Sequence, residues 1–305
     1  MNDIQDDFES FPVISEDDKA ILMHRDVHFG GKFPIMLDYY LKGGKGVFPD
    51  FEIARIQELQ VMEDGLKQNL AALMLSGSDA ERVAQAKEAY KKLRDLYEKQ
   101  TDKSLKYSRL MADLILSEEE EADAEVEAVV TEKGAIVPAL MNLLRSEDFH
   151  DPLFPGYGLS PALAIKCLGL IGDKRAIISL FESIGNEEFF NEELSLKALY
   201  LIGEPAKEFL LKVLHARPIT FDNERAAMAL IQFKSDLQVS TACLEMLRSL
   251  DLKKQTLLAT YLILACEDIT DSLQRKELLN LAEDSNTPAS IRQDIKTISK
   301  NWKNI

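Results

Sequence analysis

The stretch SPALAIKCLGLIGDKRAIISLFESI, Ser160 to Ile184, is followed by a short acidic loop and then by NEELSLKALYLIGEPAKEFLLKVL, Asn191 to Leu214. Leu168, Ile171, Gly172 and Asp173 recur as Leu199, Ile202, Gly203 and Glu204, an offset of 31 residues. The offset carries once more, from Leu199 to Leu230 and from Ile202 to Phe233, although Lys234 replaces the glycine. Self-similarity at a period of roughly 20–50 residues marks a chain whose units bury their apolar faces only against neighbours.

Each unit has a physical logic of its own. Ser160 suits an N-cap, and Pro161 suits the first helical position, where a missing N–H costs nothing. Ala164, Cys167, Leu168 and Ile171 then recur at helical spacing as one apolar stripe. Gly172 stands where the chain leaves the helix, a place that favours the left-handed conformation. Asp173 can cap the next helix, whose stripe is Ala176, Ile177, Leu180, Phe181 and Ile184. In the second unit Gly203 ends the first helix and Glu204 precedes Pro205. Phe209, Leu210, Val213 and Leu214 then face inward. Each unit is predicted to be a tight antiparallel helix pair.

These residues resemble the HEAT-like repeats of the phycobilisome-lyase type, whose units read A-x-x-x-L-x-x-I-G-D-x-x-A-x-x-x-L. The resemblance implies an all-α fold, a right-handed α-α superhelix built as a HEAT-like solenoid and preceded by a helical N-terminal region. It implies no activity by itself. Some HEAT-like proteins are di-iron hydroxylases that use His-Glu pairs on successive repeats. Here the four histidines are followed by Arg25, Phe29, Asp151 and Ala216, so that motif is absent. DNA-glycosylase members need a basic groove. Asp173 and Glu204 match the acidic turn position of the repeat, a capping role.

Charge narrows the partners. The chain of 305 residues carries 36 Lys+Arg against 52 Asp+Glu, a formal charge of −16. Such acidity opposes a groove that neutralises phosphates and fits basic or mixed-charge proteins, or plain solubility. The three cysteines, Cys167, Cys243 and Cys266, fall in apolar helical stripes without zinc-ligand spacing, as expected of a reducing cytosol. The opening MNDIQDDFES lacks the basic segment and apolar core of a signal peptide, and no apolar run approaches the ~20 residues of a membrane helix. A cytoplasmic location, with no membrane and no nucleic acid as partner, is the expectation.

Along the chain, residues 1–14 read as a loose acidic tail, 15–117 as a helical N-terminal region and 118–305 as the repeat solenoid. Ser15 with Asp18 resembles a helix start, and Gly30-Gly31 ends that helix. FPIMLDYYLK forms a second helix, closed by the glycine turn GGKG at Gly43–Gly46. Asp50 is expected to cap a long third helix through Leu75, with Glu63 interrupting its stripe. Val83, Ala86, Tyr90, Leu93 and Tyr97 mark a fourth helix that pairs with the third as a hairpin. SEEEEADAEVEAVV is read as a helix despite its charge, because carboxylates favour a helix N-terminus. Pro138 implies a kink or a late start in the next. The final helix, about Thr287 to Lys303, has Ile291, Ile295 and Ile298 on one side and a polar face on the other, with Trp302 pinning the cap.

Two stretches compete for function. RSEDFHDPLFPGYGLS, Arg145 to Ser160, is long for a connection and rich in apolar side chains. It reads either as a loop folded over the first regular repeat or as a partner-binding edge, with Phe149 and Leu153 inward and Phe154 and Tyr157 nearer the surface. The second stretch is the face built by the second helix of each pair. There Arg175, Ser179, Glu182, Lys207, Glu208 and Lys212 fall outside the apolar stripes. The expected function is a protein–protein interaction scaffold or adaptor. The alternative is an enzyme or small-ligand protein with a pocket between the N-terminal helices and the 145–160 loop. His24 and His28, at i and i+4, share a helix face and could hold a metal. They lack the glutamate of a zinc-protease motif. The expectation is a partly exposed helix end, with no metal, no cofactor and no catalytic residue.

Overall fold

The computed structural model describes residues 15–44, 50–98, 105–119, 121–185 and 189–304. The acidic stretch 1–14 and the Lys45-Gly46 end of the glycine turn lie outside them. Among the described residues every regular element is helical. Two compact units form: Met1–Glu119 with Glu147–Ser160, and Glu120–Ser146 with Pro161–Ile305.

In the first unit, Ser15 starts α1 (Glu16–His28) with the expected reciprocal cap. The Asp18 N–H donates to Ser15 Oγ at 3.2 Å, and the Ser15 N–H donates to Asp18 Oδ2 at 2.9 Å. Gly30 and Gly31, both at positive φ, release the chain into α2 (Phe33–Leu41). The long third helix is two: α3 (Ile53–Leu66) stops at Lys67 in the left-handed region, and Asn69 caps α4 (Leu70–Met74). Glu63 supplies the reason. Its carboxylate accepts the Leu70 N–H at 2.8 Å and an N–H of the fully buried Arg25 at 2.6 Å, so the residue that interrupts the apolar stripe is an anchor. The long helix α5 (Gly77–Glu98) packs on α1 and on α6 (Lys106–Leu116), rather than pairing with α3 as a hairpin. Ile21, Leu22, Phe33, Met36, Ile56 and Leu59 form the core under α1 to α4.

The second unit starts with α7 (Asp123–Thr131), acidic in its first turn and buried at Val126 and Val129. Pro138 gives a late start, since α8 (Val137–Arg145) begins one residue before it, after a 3₁₀ turn at Lys133–Ala135. Then come α9 (Ser160–Ile171), α10 (Ile177–Glu182), α11 (Phe189–Ile202) and α12 (Glu204–Leu214). Gly172 (φ 69°) and Gly203 (φ 79°) make the turns inside these pairs, in the region that costs an L side chain strain. Asp173 Oδ1 accepts the Arg175 N–H at 2.9 Å, the cap expected of it. The unit continues through α13 (Phe221–Leu230), α14 (Leu237–Ser249), α15 (Thr256–Leu264), α16 (Ser272–Glu283) and α17 (Ala289–Ser299).

Packing follows the order of the pairs. First helices touch first helices, α11 on α13, α13 on α15 and α15 on α17. Second helices touch second helices, α8 on α10, α12 on α14 and α14 on α16. Close approach is built into the sequence at Gly169, where a Cβ would lie 2.8 Å from the Cα of Ala198 on α11. Buried Asn223 joins successive units: its Nδ2 donates to the carbonyls of Val213, Leu214 and Ala216, which end α12. Trp302 donates from Nε1 to the Glu267 carbonyl at 2.7 Å, and Arg275 lies over its ring, which ties down the last turn.

Candidate functional site

The polar residues expected on the second-helix face separate into two groups. Arg175 is exposed, but its guanidinium is held by Asp173 and by the Gly134 carbonyl at 2.5 Å. Glu182 is exposed beside Arg145 at 3.5 Å. Ser179 is buried, contrary to expectation. The helix α10 is only six residues long and buries Ile177, Ser179, Leu180 and Phe181, which narrows its outer side to Ile178 and Glu182. Lys207 is also inside, only 5% exposed. Its ammonium meets Asp236 Oδ2 at 2.5 Å and Glu204 at 2.9 Å. Asp236 holds the lysine's pKa above its usual value, and Lys207 in turn lowers that of Asp236. Because Asp236 also caps α14, this ion pair links one helix pair to the next. Glu208 and Lys212 remain exposed, with no ion pair among the described residues.

Beside these residues the second helices leave two apolar grooves. One, of ≈ 610 Å³, lies between α12 and α14 and is lined by Leu211, His215, Leu237, Thr241 and Glu245. The other, of ≈ 280 Å³, lies between α14 and α16 and is lined by Leu244, Leu247, Leu278 and Leu281 together with Arg248, Glu277, Asn280 and Asp284. Leu237 is 62% exposed at the start of α14, and Leu273 is 75% exposed at the start of α16. Sequence reasoning missed both leucines, although each follows a capping aspartate by one or two residues.

Phe154 and Tyr157, expected near the surface, are 4% and 7% exposed. The 147–160 loop belongs to the first unit. Asp151 turns it by accepting the Leu153 N–H at 3.0 Å, and Arg82 of α5 pairs with the same carboxylate. Leu153 and Phe154 then pack on Ala86 of α5 and on Met23 and Val27 of α1, while Phe149 is half-buried.

That packing buries His24, against the expectation of a partly exposed helix end, while His28 stays partly exposed. His24 is 4% exposed, with its ring 5.1 Å from His28. The His28 ring meets Tyr157 at 5.0 Å and Tyr90 at 5.5 Å, both edge-on. Burial lowers the pKa of His24 to about 4 and that of His28 to about 3, so both are neutral at pH 7. Burial also raises Tyr90, Tyr157 and Glu118. His24 Nδ1 and His28 Nε2 are buried without a hydrogen-bond partner. Among the described residues no three His, Cys, Asp or Glu side chains converge as a metal site. The H-x-x-x-H spacing was visible in the sequence; the arrival of Tyr90, Tyr157 and Glu118 was not, because they come from three distant segments. The thiols are buried too, and burial pushes Cys167 up to about 12.

No protein-family model matches this chain, and a search of curated proteins finds no match to it. Among the described residues no helix is long and apolar enough to cross a membrane.

Proposed function

We propose that the protein is an interaction scaffold or adaptor, with the second unit a HEAT-like right-handed superhelix and its second helices the binding face. The observation that carries this is the succession of largely apolar grooves between α12, α14 and α16, with exposed Leu237 lining the first and Leu273 exposed at the start of α16. Large apolar side chains left in water on a regularly built surface are a feature of interaction sites. Layered helix contacts and the 31-residue sequence offset support the superhelix. Net charge −16 favours protein partners over nucleic acid, and three free thiols fit a cytoplasmic setting.

A test follows from the exposure of Leu237. Affinity capture from the native host with the wild-type chain should recover a specific protein that Leu237→Arg loses at unchanged Tm. Recovery of the same proteins by both forms would remove this face as the site. A second reading, a small-ligand or catalytic site in the first unit, is favoured by the cluster of His24, His28, Tyr90, Tyr157 and Glu118. In that cluster the side chains pack on one another, so the scaffold is the better-supported function.

A further inference from the structure

We infer that the occupant of the second-helix face is a basic, extended protein segment anchored by two large apolar side chains about four residues apart. This rests on the interaction-face reading above and adds the chemistry of the partner.

The grooves set the anchors. The two grooves are separate and lie on either side of α14, so a chain that crosses α14 can set one side chain in each. Neighbouring helices pack roughly 8–10 Å apart. Along α14 the grooves centre near Thr241 and Leu247, about six residues or ~9 Å at the helical rise. Their separation is therefore on the order of 13 Å. An extended chain advances ~3.3 Å per residue, so about four residues span it, and an even spacing returns both side chains to one face.

Charge sets the rest. The segments Glu204–Leu214, Asp236–Ser249 and Asp271–Asp284 carry eight carboxylates against five Lys or Arg. Ion pairs take Lys207 with Asp236 and Glu204, and Arg248 with Glu277 at 2.5 Å, which leaves five carboxylates against three bases. Glu245, which lines the α12–α14 groove, and Glu208, one turn before Leu211 on α12, are exposed and in no ion pair among the described residues; Arg248, one turn on from Glu245, is the base that feels its charge. Bases flanking the apolar anchors meet this excess, whereas phosphates are repelled by it.

The test uses the full chain and fluorescein-labelled peptides with two leucines four residues apart, one in a Lys/Ser background and one in a Glu/Ser background. Fluorescence anisotropy at ~0.1 M salt, where surface charge still acts over about 10 Å, should show the Lys/Ser peptide binding at least about tenfold more tightly. Glu208→Lys with Glu245→Lys should weaken that peptide about tenfold or more, and Leu237→Arg should do the same. Equal binding of the two peptides, no binding of the Lys/Ser peptide, or indifference to the glutamate changes overturns the inference. If Leu237→Arg instead removes binding of the Glu/Ser peptide, the basic partner falls and the interaction face stands. If Leu237→Arg changes no observed binding, both fall.

Discussion

Arg25 and Glu63, 38 positions apart, are joined inside the first unit by an ion pair of 2.6 Å, with the arginine side chain wholly removed from solvent. Asp26 and Asn69 take further guanidinium protons, and the Phe33 ring lies 4.5 Å below. One arginine thus ties α1 to the end of α3, the cap of α4 and the start of α2.

Removing Glu63 should therefore be costly. Glu63→Leu would leave Arg25 short of a partner and free the Leu70 N–H. Breaking a buried pair costs about 3–5 kcal/mol. A loss of about 3 kcal/mol in urea titration is expected here, because Asp26 and Asn69 remain. A neutral result would show that Arg25 is solvated in solution.

In the second unit, Leu199 is fully buried in the last turn of α11. Leu199→Ala should destabilise by ~2–5 kcal/mol, the range for a truncated core leucine. Gly169→Ala tests the opposite error. Its added methyl meets the backbone of Ala198, so about 1–3 kcal/mol should be lost by overpacking. A stabilised Gly169→Ala protein would mean that α9 and α11 lie further apart.

Buried His24 and half-buried His28 predict an acid limb. Their folded pKa values lie below the ordinary ~6.5, so below that pH the unfolded chain binds protons that the folded one refuses. Their stability contribution is complete above about pH 6.5 and declines as pH falls through the folded values of about 4 and about 3. Each histidine contributes up to ~1.4 kcal/mol per pH unit within its window. Asp151 and Arg82 act on His24 in opposite senses, the carboxylate raising its pKa and the guanidinium lowering it, and burial outweighs both. Urea midpoints between pH 7 and 4 should show the decline, and His24→Leu with His28→Phe should flatten it. An equal slope in both proteins would place the histidines in water.

Phe154→Ala should cost ~3–5 kcal/mol, as for other buried phenylalanines. Limited proteolysis should leave Asp148–Ser160 uncut in the wild-type chain and expose it in the variant. Rapid cleavage of the wild type at this loop would contradict its burial among α1 and α5.

Much of the architecture was legible because it depends on local chemistry. The reciprocal cap at Ser15 and Asp18, the turns at Gly172 and Gly203 and the cap at Asp173 involve residues within a few positions of one another. Their conformations follow from side-chain reach and φ alone. Periodicity likewise marked Leu168, Leu199 and Ile295 as core. The errors arose where distant segments meet. Glu63 looked like a flaw in a stripe until Arg25 arrived from α1, and His24 looked like a helix end until α5 and the 147–160 loop covered it. Lys207 read as a surface charge, although Asp236 of the next helix pair allows its burial. A helical period says which side of a helix is apolar, but not which element packs there or which charge finds its counterion. Those outcomes are decided by long-range packing, where an ion pair or ring contact forms only once the backbone has brought its partners within a few ångströms.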